Sequence, residues 1–194
     1  MSSEALISFA VLFGVIALLA MIFVLVFNSI VRAGNEVRNA ASQVEVQLQM
    51  RHDLVPNLVN VVAGYANHER TTLESVTRAR AGAIGMPAGT SERFAQENLL
   101  TRALVDLRLV AERYPQLQAD TEFLRLHDSL TRVEGLIAGA RQYYNDALMR
   151  LENLTQQFPG IVVATATGRT SVPPYFHSDD AAAKSPVVSF DMRT

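Results

Sequence analysis

The stretch that decides the fold is residues 5–31, ALISFAVLFGVIALLAMIFVLVFNSIV, which contains no charged side chain. A helix of about 20 apolar residues crosses a bilayer core of about 30 Å. Such a helix satisfies its own backbone hydrogen bonds, so lipid can cover it on all sides. We therefore predict a transmembrane helix at 5–31 after a short N-terminal tail at 1–4, and the lipid bilayer is the first expected partner.

A cleavable signal peptide is the main alternative for this stretch. Signal peptides begin with basic residues and have a shorter apolar region, whereas residues 1–4 are MSSE and the apolar run is long. We therefore expect a retained single span. Arg32 and Arg38 follow it, and the positive-inside bias then places the following domain in the cytoplasm.

Length and charge limit what the remaining chain can be. The 194 residues leave room for one modest domain after the span. The net charge of -2 provides no broad basic surface for nucleic acid, so nucleic acid is not an expected partner. Cysteine is absent, which excludes disulfides and thiolate chemistry. Apolar residues recur at helical spacings, which favours an all-α fold.

The first helix after the span is predicted at about 35–80. Its seam positions alternate in spacing between four and three residues, a pattern typical of coiled-coil packing. Arg51 occupies a position where an aliphatic residue is expected. The seam consists of Val37, Ala41, Val44, Leu48, Arg51, Val55, Leu58, Val62 and Tyr65.

Pro56 lies inside this helix and removes one backbone hydrogen bond. One interpretation is a kinked but continuous helix. The other is a break, with Asp53 capping a new helix whose first turn tolerates Pro56.

Two more helices complete the predicted bundle at 32–160. Residues 82–89, GAIGMPAG, predict a loop, and Thr90 or Ser91 then caps a second helix at about 92–114 that ends before Pro115 and returns antiparallel to the first. A third helix, 120–158, has the most regular seam, from Phe123 to Phe158. The predicted fold is all-α, a transmembrane helix followed by an antiparallel three- to four-helix bundle with long, coiled-coil-like helices. Residues 161–194 are expected to be a mostly extended tail with a short helix or strand at 186–190.

Several ordered motifs resemble the LemA family. They are RHDLVPNLV at 51–59, GYANHE at 64–69, ERYP at 112–115, EGLIAGARQYYN at 134–145 and FP at 158–159. Two positions depart from the family pattern: Val133 stands where Thr is usual, and Leu151–Glu152 stand where the family has a second Tyr-Asn.

The resemblance implies a membrane-anchored helical bundle without established enzymatic activity and without a cofactor. LemA-like domains also occur in proteins of bacterial magnetosome membranes. The localisation implied is therefore a bacterial inner membrane, or an organelle membrane derived from it, with a single span.

Arg51 at a seam position needs a polar partner if it is buried. Glu134, Arg141 and Asn145 share one face of the third helix, and we expect an interhelical network that joins Arg51 to Glu134. Tyr65, Glu69 and Glu112 are further candidates for this network. Such a network fixes the register of helices that could otherwise slide. The alternative is that these charges extend into solvent at the edge of the bundle.

No catalytic, cofactor or metal site is predicted. The pairs His52-Asp53 and His68-Glu69 lie about four turns apart and lack the spacing of bundle metal sites, so solvated or capping roles are expected for them. The glycines at 82–89 lack a phosphate-loop Lys-Ser/Thr and follow no strand. Tyr144 is expected in the core and Tyr143 outside it.

The leading functional hypothesis is a membrane-anchored structural or adaptor protein that forms homo-oligomers or binds other membrane proteins. Long apolar seams favour self-association. The alternative is a regulatory subunit of a membrane protease or signalling complex. A sensor of small ligands is disfavoured because the sequence offers no uncommitted polar cluster.

Overall fold

A computed structural model describes residues 3–176, and within that range it contains helices and no strand. The predicted all-α class is confirmed. The helix or strand predicted at 186–190 lies outside the described residues. The helices are α1 (Ser3–Tyr65), α2 (Arg70–Ile84), α3 (Ser91–Glu112), α4 (Pro115–Gln118), α5 (Thr121–Gln156) and α6 (Gly160–Ala166).

Helix α1 begins two residues before the apolar stretch and continues through Pro56 without a break. It is the one helix in the described part of the chain that is long and apolar enough to cross a membrane. Every side chain from Leu6 to Leu25 is exposed, whereas Ile30 is 2% exposed. The break considered at Pro56 is therefore not observed, and α1 passes directly from the apolar stretch into packed helix.

The described residues form two compact units, and the first comprises residues up to 49 together with 133–173. Here α1 packs with the second part of α5 and with α6. Glu36 on α1 binds Arg150 at 2.8 Å and accepts a hydrogen bond from the Tyr143 hydroxyl at 3.3 Å. Tyr144 is buried and Tyr143 partly exposed, as predicted. The core of this unit contains Ile30, Ala33, Val37, Ala40, Val44, Leu48, Val133, Ile137, Tyr144, Ala147, Leu148, Leu151, Val163 and Ala164.

The second unit comprises residues 50–132 together with the described residues after 173. Its apolar core is formed by the end of α1, by α2, α3 and α4, and by the first turns of α5. The core residues include Val55, Leu58, Val62, Val76, Leu100, Leu104, Leu107, Leu117, Phe123, Leu126 and Leu130. Phe176 stacks on Phe94, with ring centroids 3.6 Å apart.

The predicted first helix at 35–80 is wrong in its second half, because the chain turns at residues 66–69. The turn is closed by the Glu69 N–H, which donates to the Ala66 carbonyl at 3.0 Å. Gly64 lies just before this turn and Asn67 lies within it, and both have low helix propensity. The turn adds one reversal of the chain, so α2 and not α3 returns antiparallel to α1. Helix α3 runs parallel to the end of α1, since Arg51 lies beside Glu97 and Glu69 beside Arg113.

The other helix ends are close to the predicted ones. Helix α2 continues to Ile84, so Gly82 is helical, contrary to the prediction for 82–89. Thr90 caps α3, its hydroxyl accepting from the Arg93 N–H at 3.2 Å. Pro115 opens the short helix α4, where its missing N–H costs nothing. Asp120 caps α5 by accepting from the Phe123 N–H at 2.9 Å.

Two predictions near the C-terminus are corrected. The seam of the third helix predicts that Phe158 closes it, but α5 ends at Gln156 and Phe158 is 83% exposed. The tail is predicted to be extended from residue 161, but Gly160–Ala166 form α6. Val163 and Ala164 are buried, and this packing stabilises a helix too short to persist alone.

Candidate functional site

The most unusual feature of the second unit is a buried cluster of charged side chains, and α1 contributes its first two members. Arg51 and His52 are both fully buried. Arg51 Nη1 donates to Thr101 Oγ1 at 2.9 Å, and Arg51 Nη2 forms an ion pair with Glu97. The alternative that Arg51 extends into solvent is therefore wrong.

Helix α3 contributes the other members. Arg93, Glu97 and Thr101 are spaced four residues apart, so they lie on one face of α3. Glu97 Oε1 accepts from Arg93 Nε at 2.8 Å and lies 3.0 Å from His52 Nε2. The second carboxylate oxygen binds Arg51. One fully buried carboxylate thus contacts three cationic or hydrogen-bonding side chains, and we call Arg51, His52, Arg93 and Glu97 the Glu97 cluster.

The surroundings of Glu97 keep it ionised. Burial alone raises the pKa of a carboxyl group, because it disfavours the charged form. The hydrogen bond with His52 and the positive charge of Arg51 outweigh this effect, so the pKa of Glu97 lies below its ordinary value of 4.5. Glu97 is a carboxylate at neutral pH and can hold both guanidinium groups in the interior.

A third helix joins this cluster through the backbone. Pro56 has no N–H, so the carbonyl of His52 loses the donor four residues ahead that a regular helix would supply. Arg80 on α2 replaces that donor, with Nε 2.8 Å from the His52 carbonyl oxygen. The cluster and this contact tie α1, α2 and α3 together at one level.

This arrangement holds helices together and lacks the features of a catalytic site. The carboxylate is closed off from solvent, and its oxygens are occupied by Arg51, His52 and Arg93. A general base or a nucleophile needs access to a substrate atom. Among the described residues no group of three or more His, Cys, Asp or Glu side chains is arranged to hold a metal ion. The absence of metal and cofactor stays a prediction.

Tyr65, a candidate for the Arg51 network, has a different partner. Its hydroxyl donates to Asp120 Oδ2 at 2.8 Å, which links the end of α1 to the cap of α5. This hydrogen bond and the charge of Asp120 raise the pKa of Tyr65. The Phe123 N–H and the Tyr65 hydroxyl lower the pKa of Asp120.

Glu69 and Glu112, the other two candidates, also lie away from Arg51. Glu69 Oε1 binds Arg113 at 2.8 Å and lies 3.4 Å from the Tyr114 hydroxyl. The GYANHE and ERYP motifs therefore contact each other at the ends of α1 and α3. Glu112 is exposed, 3.8 Å from Arg108.

Glu134, Arg141 and Asn145 belong to the other compact unit. The pairing of Arg51 with Glu134 stays a prediction, which a double-mutant cycle of these two residues tests.

Glu97, Arg93 and Arg80 were not predicted from the sequence, and the solvated or capping role predicted for His52 is contradicted by its burial. A signal for two of them was present. The α3 seam of Leu100, Leu104, Leu107 and Ala111 extends backward by three residues to Glu97 and by four more to Arg93. A charged residue on an apolar seam is buried when the helices pack, so it needs a charged partner on another seam. Glu97 on the α3 seam and Arg51 on the α1 seam are such a pair.

The described residues define a class: a helical protein with one apolar helix suited to crossing a membrane and a buried ionic cluster among its packed helices. The LemA family model matches residues 40–190. The chain therefore belongs to the LemA family, and the predicted family is confirmed.

Two relatives show how far sequence similarity extends. Protein LemA of Metamycoplasma hominis is 24% identical over 118 residues, covering 61% of this chain and 54% of that protein. The chain thus matches about half the length of this relative. Magnetosome protein MamQ of Magnetospirillum gryphiswaldense is 25% identical over 202 aligned positions, covering 90% of this chain and 74% of that protein.

Proposed function

We propose that this protein is a membrane-anchored structural or adaptor protein that assembles with itself or with other membrane proteins and has no catalytic activity of its own. The LemA membership and the apolar N-terminal helix support a membrane-associated, non-catalytic role. The closed Glu97 cluster supports it as well, since its charges are committed to holding helices together.

The observation that supports self-assembly is an exposed surface of α3 that contains both apolar and charged side chains. Leu99, Val105 and Leu109 are 45%, 54% and 55% exposed. Arg102 and Asp106 stand between the two leucines at helical spacing, so Leu99, Arg102, Asp106 and Leu109 form one row. In a second copy anchored in the same bilayer, Asp106 lies one helical turn from the level of Arg102 of the first copy, within reach of the long arginine side chain. The surface can therefore pair with itself.

The mass of the full chain in mild detergent, measured by light scattering over a range of concentrations, tests self-assembly. We expect an oligomer that dissociates in Arg102→Asp and in Asp106→Arg and is restored in the double variant. Leu136→Asp, at a side chain 49% exposed on α5, is the matched control and leaves the mass unchanged. A wild-type chain that is monomeric at every concentration would overturn self-assembly.

Purification from native membranes separates the adaptor role from the regulatory alternative. Recovery of the chain with itself and non-enzymatic membrane proteins supports the proposal. A stoichiometric membrane protease or signalling enzyme would instead favour a regulatory subunit.

We further propose that the bundle lies in the cytoplasm of a bacterial cell, since Arg32 and Arg38 follow the span. The similarity to a magnetosome protein leaves two membranes to compare, the inner membrane and an organelle membrane derived from it. Protease accessibility in spheroplasts tests the orientation, and cleavage of the bundle by protease added outside would contradict a cytoplasmic bundle. Fractionation of the inner membrane from the organelle membrane tests which of the two membranes contains the protein.

A further inference from the structure

In the first unit, α1 changes from an exposed apolar portion to a packed portion. All side chains from Leu6 to Leu25 are exposed, Val26 and Phe27 are half-buried, and Ile30 is buried. At 1.5 Å per residue the exposed portion is about 30 Å long, the thickness of a bilayer core. The boundary between lipid and packed protein therefore falls near Leu25 and Val26.

The turn between α5 and α6 lies at this boundary. A groove has Leu25 and Val26 of α1 on one side and Phe158 and Pro159 on the other. We name residues 158–162 the Phe158 segment. This segment sits beside the last exposed residues of the span and within the same compact unit.

The Phe158 segment exposes apolar side chains on the surface of the first unit. Phe158 is 83% exposed, Ile161 46% and Val162 57%, whereas the next two residues of α6, Val163 and Ala164, are buried. Helix α6 thus buries one face against the unit and leaves the other face apolar and uncovered. Apolar surface of this kind, adjoining a membrane span, is covered by lipid at low cost.

Two arginines occupy the positions that lipid phosphates would favour. Arg32 is exposed on α1, about 10 Å beyond Leu25 along the helix axis. The guanidinium of Arg169 lies 5.4 Å from the centroid of the Phe27 ring. Arginine near the end of a span pairs with headgroups while aromatic rings lie at the interface.

We propose that the Phe158 segment is a second membrane contact, in which Phe158, Ile161 and Val162 insert into the boundary between headgroups and acyl chains of the same bilayer that α1 spans. The occupant of this surface is the lipid bilayer, because the segment continues the apolar surface of the span. The inference requires α1 to be a membrane span and does not depend on self-assembly.

The natural chain has no cysteine, so single cysteines can report lipid contact without background. Phe158→Cys, Ile161→Cys and Val162→Cys are made in the full chain and reconstituted into phosphatidylcholine–phosphatidylglycerol nanodiscs. Val46→Cys is the matched control, since Val46 is 52% exposed on α1 and about 30 Å beyond Leu25. Phe13→Cys reports the span itself. Unchanged helical circular dichroism selects the variants that fold.

We expect a membrane-impermeant maleimide to label the three segment variants about tenfold more slowly than the Val46→Cys control, because an apolar environment disfavours the thiolate. An environment-sensitive fluorophore attached to the segment should be quenched by lipids brominated near the headgroup. Labelling of the segment as fast as that of the Val46→Cys control would overturn the proposal. Slow labelling without quenching by brominated lipid would also overturn it, because a second copy of the chain would then cover the segment. If a fluorophore at position 13, near the middle of the exposed portion, is not quenched by lipids brominated deep in the acyl chains, α1 is not a span. The membrane anchor of the proposed function then fails together with this inference.

Discussion

Arg80 Nε lies 2.8 Å from the carbonyl oxygen of His52, the carbonyl that Pro56 leaves without its helical donor. A guanidinium from α2 therefore repairs a gap that proline makes in α1. This relationship explains how α1 continues through Pro56 without a break, and it places the repair beside the Glu97 cluster.

The coupling between Arg80 and Pro56 is the first prediction. Arg80→Met should lower the free energy of unfolding by about 1.5–3 kcal/mol, the range for a hydrogen bond from a charged donor. In a Pro56→Ala background the restored N–H satisfies the His52 carbonyl, so the same substitution should cost about 1 kcal/mol less. Thermal and denaturant unfolding of the four proteins in detergent measures this cycle. Equal costs in both backgrounds would contradict the repair.

Glu97 should be the most sensitive carboxylate of the second unit. Glu97→Gln leaves the buried guanidinium groups of Arg51 and Arg93 without their counter-charge, so we expect a loss of about 3–5 kcal/mol. Glu112→Gln is the matched control on the same helix. Its side chain is 55% exposed, and surface substitutions of this kind cost less than about 0.5 kcal/mol. Similar losses of unfolding free energy in the two variants would show that the Glu97 cluster stabilises the fold no more than a surface carboxylate does.

The lowered pKa of Glu97 predicts a dependence of stability on pH. The unfolded chain titrates this carboxyl near 4.5 and the folded chain at a lower pH. Around and below the unfolded pKa the unfolded state therefore binds more protons, and stability falls as the pH is lowered through the folded pKa. The stabilisation by Glu97 is fully present at higher pH. Melting temperatures measured between about pH 3 and 7 should fall more steeply for the wild type than for Glu97→Gln, whereas Glu112→Gln should keep the wild-type slope.

Two glycines of the first unit should respond in opposite directions to alanine. A Cβ on Gly160 would lie 1.8 Å from the Leu154 carbonyl oxygen. Gly160→Ala must therefore shift the backbone where α5 meets α6, at a cost of about 1–3 kcal/mol. A Cβ on Gly139 meets nothing within 4 Å, and alanine there should stabilise α5 by up to about 1 kcal/mol. Unfolding free energies of both variants check this contrast, and a neutral Gly160→Ala would contradict the close contact.

Much of the architecture follows from periodicity alone. The alternation of three and four residues predicts the seams of α1, α3 and α5, and most of the predicted positions are buried, as Leu48, Leu100 and Ile137 illustrate. Predictions from periodicity fail at the ends of seams, because an apolar repeat can continue past the residue at which the helix ends. Phe158 continues the α5 pattern perfectly, yet the helix ends at Gln156 and the ring is exposed. The turn at residues 66–69 was missed for the same reason, and with it the direction of α3.

Local pattern in the amino-acid sequence is sufficient to establish an apolar helix suited to a membrane, an all-α fold, and an arginine at position 51 that needs a partner when buried. Only the packing of the helices identifies a partner of Arg51, which is Glu97. Glu97 lies 46 residues from Arg51, and the partner of a seam charge depends on chain reversals and helix register that local patterns do not encode. The same holds for Arg80, because a carbonyl freed by Pro56 can be satisfied by a donor on any neighbouring helix.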